Sequence, residues 1–164
     1  MILTPLTVIF FIAIFVLVYL FVSTIDKRKW LNILVSLVLT PIVYFYVFYP
    51  ILNIFSSYHH EKYFNSEAWK DKPALRYEMV NNILKTDTLI GKSKPEIEHL
   101  LGTYEWLSWN DSIKNHDDNL WNYAMGLKPG AMNTKKECMT LIFKNGKVAT
   151  IETYNEAITY EAKD

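Results

Sequence analysis

His59, His60 and His116 are the residues that most invite chemistry. His59-His60-Glu61 and His116-Asp117-Asp118 each set imidazole beside carboxylate, side chains that serve as zinc ligands. Their spacing argues against a metal centre. Adjacent histidines point in different directions on a helix, no cysteine or further ligand follows at a recognised interval, and the two clusters could meet only through tertiary folding. No glycine-rich phosphate loop, nucleophile elbow or His-Glu-x-x-His helix occurs, and a hydrolase would need Ser, His and Asp gathered from unrelated loops. The expectation is a chain with no catalytic residue, no bound metal and no cofactor.

The other candidate set is aromatic. Tyr104, Trp106, Trp109, Trp121 and Tyr123 crowd one stretch and suit either cross-strand pairing in a sheet core or a contact surface, since such side chains dominate binding hot spots. With Ile142 and Ile151 from a later hairpin, Trp106, Trp109, Trp121 and Tyr123 form the candidate partner-binding set. The sole cysteine, Cys138, precludes an internal disulfide and reads as a small side chain within a strand.

Charge divides the elements that must carry these residues into two regions. Residues 1–55 hold only Asp26, Lys27, Arg28 and Lys29 as charged side chains, between the apolar runs Ile2–Val22 and Leu31–Phe55. At about 1.5 Å per residue, each run is long enough to cross a hydrocarbon core of roughly 30 Å. A secretory signal would need a basic start and a small-residue cleavage site, and Met1–Pro5 has no basic side chain. Pro41 and Pro50 predict a kink or an early end in the second span. Trp30, Tyr49 and Tyr58 are candidate interface anchors. Neither span carries an ionisable Asp, Glu, Lys, Arg or His, so an anchor is favoured over a transporter. Lys27, Arg28 and Lys29 in the connecting turn place that turn in the cytoplasm and both termini outside.

Residues 56–72 read as a juxtamembrane linker with a short helix capped at Asn65 or Ser66, and residues 73–164 as a soluble domain. Both charge signs are interspersed there, with no basic stripe suited to nucleic acid. Leu75, Met79, Val80, Ile83 and Leu84 lie on one stripe of a helix over Ala74–Lys85. Ser93 and Glu96 have capping-box spacing, with Pro95 in the first turn, and open a second helix that stops at Gly102. Strands are expected at Tyr104–Trp109, Leu120–Met125, Cys138–Phe143 and Val148–Thr153, with Thr103–Asn119 and Gly126–Lys136 containing loops. A two-residue turn at Asn145-Gly146 would pair Phe143 with Val148 and Leu141 with Thr150. Met139, Leu141, Phe143 and Val148 would then bed the helices. Ile142 and Ile151 would share the opposite face, open to a partner or covered by the C-terminal segment or first strand. The fold class is α+β: a transmembrane helical hairpin, then two helices on a three- or four-stranded antiparallel sheet.

Gly91–Gly102, Leu120–Met125 and Met139–Val148 together resemble the small outer-membrane assembly lipoprotein family (SmpA/OmlA, BamE-like) over about residues 89–155. The resemblance implies two helices on a small antiparallel sheet, with Gly126–Lys136 as the family's long loop. It also implies a cell-envelope domain that acts through protein contacts without cofactor or catalytic residues. The family's lipidated cysteine has no counterpart; a two-helix anchor stands in its place. The expected protein is therefore integral to the bilayer, in the bacterial plasma membrane with its domain on the outer face, and binds a protein partner of unknown identity. Its role is a non-catalytic assembly or stabilising module that acts through its sheet face or the Gly126–Lys136 loop. An inhibitor or immunity-type protein is the alternative, and a metal-dependent enzyme on His59, His60 and His116 a third.

Overall fold

A Thr-Pro pair is well suited to start a helix, because Thr caps the first free amides and Pro needs no amide partner. In a computed structural model that describes residues 1–157, Thr4 accepts a hydrogen bond from the Thr7 amide and Pro5 opens α1, Pro5–Ile25. The turn after α1 is closed by Asp26, which accepts from the Arg28 amide at 2.7 Å and from its guanidinium at 2.8 Å. That guanidinium holds the Asp26 carboxyl down at about 2. The next helical stretch, Lys29–Phe55, comprises α2 (Lys29–Val43), a π-helical turn (Tyr44–Phe48) and α3 (Tyr49–Phe55). Both stretches, 21 and 27 residues long, have the length and apolar character to cross a membrane.

Of the expected kink or early end, the early end does not occur. Helix continues through Pro41 and on past Pro50 to Phe55. Pro50 cannot donate to the carbonyl one turn back, and the wider π turn just before it changes the bonding pattern where that donor is missing.

This hairpin unit spans Ile2–Tyr58 together with Pro129–Met132. Its buried side chains recur at helical spacing: Thr7, Ile14, Val18 and Val22 on α1, then Asn32, Ser36, Thr40 and Tyr44. Small polar residues let two backbones approach closely, as helix pairs in lipid require. Tyr58, expected as a headgroup anchor, turns its hydroxyl to Thr7 at 2.8 Å and lies 3.4 Å from the Tyr44 hydroxyl.

The second unit comprises His59–Lys128 and the described residues from Asn133 on, while residues 158–164 of the expected soluble domain lie outside the described part. Its first segment, the expected juxtamembrane linker, is bonded along a helix. The Lys62 amide donates to the Glu78 carbonyl at 2.7 Å and the Phe64 amide to Asn82 Oδ1 at 2.8 Å. Glu61 accepts from Asn81 and pairs with Lys85, while Lys62 pairs with Glu78. All of these helix residues lie on α5, Tyr77–Thr86. A short α4, Ser66–Asp71, precedes it, with Asn65 accepting from the Ala68 amide. The helix expected from Ala74 opens as a 3-10 turn over Pro73–Leu75. Met79, Val80 and Ile83 are buried as the stripe predicts, while Leu84 is exposed. The capping box of Ser93 and Glu96 opens α6, Lys94–Leu101, and Gly102 closes it at φ +80°.

Four antiparallel strands follow in the order β1-β2-β3-β4: Trp106–Asn110, Asn115–Ala124, Lys135–Lys144 and Lys147–Ala157. One apolar cluster contains Val80 and Ile83 of α5, Ile97 and Leu101 of α6, and Trp121, Tyr123, Met139 and Leu141 of the sheet. Arg76, itself buried, ties four segments to this core. It donates to the Trp69 carbonyl at 2.9 Å and the Ala124 carbonyl at 3.1 Å, pairs with Glu105, and lies over the Trp69 ring. Gly126, at φ +86°, follows this junction so closely that a Cβ would meet the Ala74 carbonyl oxygen at 2.2 Å.

Two outcomes follow. Arg76→Met should lower stability of the second unit by about 2–3 kcal/mol, towards the low end for removing one partner of a buried pair because Glu105 is partly solvated. Urea unfolding of the domain checks this; an unchanged midpoint would show that the cation contributes little. Acid should loosen the segment along α5. Burial pushes the His60 imidazole below its ordinary 6.5, and the hydrogen bond from Asn81 holds the Glu61 carboxyl below 4.5. Both shifts favour the unprotonated form in the fold, so their stabilisation is present above those ordinary values and fades as pH falls beneath them, His60 first. Amide-exchange protection at Lys62 and Phe64 should fall as pH drops from above 6.5 to about 4; constant protection would contradict this.

Candidate interaction surface

Side chains alternate across a strand, so the pairing register decides which residues reach the helices and which face away. The Asn145-Gly146 turn forms as expected, with both residues at positive φ, and pairs Phe143 with Val148. A register shift between Ile142 and Phe143 then inserts Ala149, so Leu141 meets Ile151 and Ile142 meets Thr150. This corrects the expected pairing of Leu141 with Thr150. It also moves Ile151 away from Ile142: Ile151 packs against the core, and only Ile142 remains on the second face.

Of the candidate aromatics, Trp121 and Tyr123 are core residues, 5% and 0% exposed, and are not available to a partner. The Tyr123 hydroxyl donates to the Gly102 carbonyl at 3.0 Å, and the Trp121 ring packs at a tilt against Phe143 and Tyr104. Trp106 sits opposite Asn122 in the register, on the second face, and is half-buried. Trp109 is 56% exposed near the β1–β2 turn. Thus Trp106, Ile142 and Trp109 remain accessible.

Register adds residues that sequence inspection missed. Leu120 pairs with Ile142, and Tyr154 pairs with Cys138, so Leu120 and Tyr154 share the second face with Trp106 and Ile142, each half-buried. The centre of this face is polar and closed. Asn122 is fully buried; its Oδ1 accepts from Thr140 Oγ1 at 2.6 Å and Tyr154 Oη at 3.4 Å. Its amide donates to Ser108 Oγ at 2.9 Å and to the Trp106 and Leu120 carbonyls at 3.2 Å. Lys136 lies over the Trp106 ring and pairs with Glu156 at 3.4 Å. Burial, then the Glu156 carboxylate, pushes the Cys138 thiol up to about 11, which keeps it protonated and weakly nucleophilic near neutral pH. An isolated Asn in a sequence gives no sign of such a hub, because its partners come from all four strands.

The histidine clusters are put to other uses. His59 packs edge-on against Tyr77, with ring centroids 5.0 Å apart. His116 lies within β2 rather than in the expected loop, its Nδ1 3.1 Å from the Leu107 carbonyl and its ring against Trp109. Asp117 accepts from the Asn119 amide and the Asn110 side chain, and these bonds hold its carboxyl below the usual range. Among the described residues, no three His, Cys, Asp or Glu side chains gather as a metal site. The chain matches no family model, no curated protein and no solved structure.

Asn122→Ala removes the shared partner of Thr140 and Ser108, and should cost about 1–3 kcal/mol. Chemical denaturation would register it as a lower midpoint with unchanged slope; a neutral result would mean that the hub can be replaced.

Proposed function

We propose that the chain is a membrane-anchored protein-interaction module of the bacterial cell envelope, non-catalytic, which helps to assemble or stabilise a complex. One observation carries the reading. The sheet is closed on the face whose side chains join the helical core, while Trp106, Leu120, Ile142 and Tyr154 stay partly exposed on the other. Large, stiff aromatic and aliphatic side chains around a hydrogen-bonded polar centre suit a contact surface, because they shed water at little further ordering cost.

In this reading, the domain adopts the BamE-like arrangement of two helices laid on an antiparallel sheet. Support comes from the capped α6, the Asn-Gly hairpin and the core residues that α5 and α6 share with the sheet. The hairpin anchors the protein in the plasma membrane, with Lys27, Arg28 and Lys29 on the cytoplasmic side and the domain outside. With Arg28 paired to Asp26, Lys27 and Lys29 still give the turn a positive charge, which supports this orientation.

Photocrosslinking groups placed at Trp106, Ile142 and Tyr154 in intact membranes test the surface, with exposed Leu84 on α5 as control. A discrete adduct from the sheet positions and none from Leu84 is expected. Equal capture at every position, or none at the sheet positions, would remove the basis for the proposal.

A further inference from the structure

The connection from β2 to β3 leaves the soluble unit after Lys128 and returns at Asn133, and the four residues between, Pro129–Met132, group with the helical hairpin. A polar bond sets their place in that unit. The Ala131 amide donates to the Ile54 carbonyl at 3.1 Å. Ile54 belongs to the last turn of α3, where carbonyls run out of partners within the helix. The loop is therefore pinned at the level where the apolar stretch ends.

Beside Ala131, Met132 is 93% exposed, and Phe55, next to Ile54, is 83% exposed. Pro129, Gly130, Ala131 and Met132 carry neither charge nor side-chain donor, so lipid contact would strip water from no polar side chain. Two of the flanking lysines have acidic partners in the protein: Lys128 pairs with Glu137 at 2.9 Å and Lys136 with Glu156 at 3.4 Å, while Lys135 is exposed. Contact with an anionic headgroup would compete with these pairs. Apolar contact would not.

We propose that Pro129–Met132 is a lipid-contacting loop that seats the Met132 side chain between headgroups and acyl chains, at the level of Phe55. The inference rests on the membrane-anchor reading. An unbranched, flexible thioether suits this irregular boundary. Because the contact is apolar, it should persist in high salt.

The test uses the full chain in phosphatidylcholine nanodiscs with Cys138→Ala and a nitroxide on Met132→Cys, compared with labels at Leu17→Cys on α1 and Ile113→Cys at the β1–β2 turn. Collision rates with oxygen, which concentrates in lipid, and with a water-soluble nickel chelate are measured for each. The expected result is an oxygen-to-nickel ratio at position 132 several-fold above that at 113, approaching that at 17, and unchanged by salt. A ratio at 132 as low as at 113, with 17 still in lipid, overturns the loop inference and leaves the anchor standing. Water exposure at both 17 and 132 overturns the anchor and the loop together. A lipid signal at 132 that salt abolishes overturns the apolar contact.

Discussion

The hairpin buries small polar side chains of α2 against apolar Ile14, Val18 and Val22 of α1 while it turns a far larger set of apolar side chains outward, and the remaining structure depends on how that outward surface is covered. Asn32, Ser36 and Thr40 are buried where α2 meets α1, while Leu34, Leu37 and Val38 on α2, and Leu17 and Phe21 on α1, are exposed. In water this arrangement would leave a large contiguous apolar surface, which monomeric soluble proteins rarely tolerate. Lipid is the proposed resolution, since outward apolar side chains then meet their like and small polar side chains line the seam.

The second unit turns its large apolar side chains inward. Its core is apolar, and the buried Arg76 is satisfied by two carbonyls, a carboxylate and an indole face. One cation thereby holds the end of α4, the start of α5, the approach to β1 and the end of β2. The segment His59–Phe64 belongs to this fold as well, since Glu61, Lys62 and Phe64 all bond to α5. The second unit thus begins at His59.

Features governed by local chemistry were legible in the sequence. Ser93 with Glu96, Asn65 before Ser66, and Asn145-Gly146 each produced the expected cap or turn, because their partners lie within a few residues. Features set by distant pairing were not. The extra residue at Ala149 changes the face of Ile151, and no local signal fixes a bulge. Polar His116 and Asn115 joined β2 because Trp109 and Asn110 pair with them, although their polarity suggested a loop. Of the candidate residues, Trp106, Trp109 and Ile142 are accessible, whereas Trp121, Tyr123 and Ile151 pack into or against the core, and Leu120 and Tyr154 share the second face. An aromatic residue's type does not reveal the face it will occupy. The seam of Asn32, Ser36 and Thr40 could be found by reading every fourth residue, but its polarity hid it from a search for apolar stripes.

Treatment of native membranes with alkaline carbonate, followed by flotation, tests most directly whether lipid covers the hairpin. The account predicts that the full chain floats with the bilayer and is released only by detergent. Recovery of the intact chain as a monodisperse species in detergent-free buffer would contradict it.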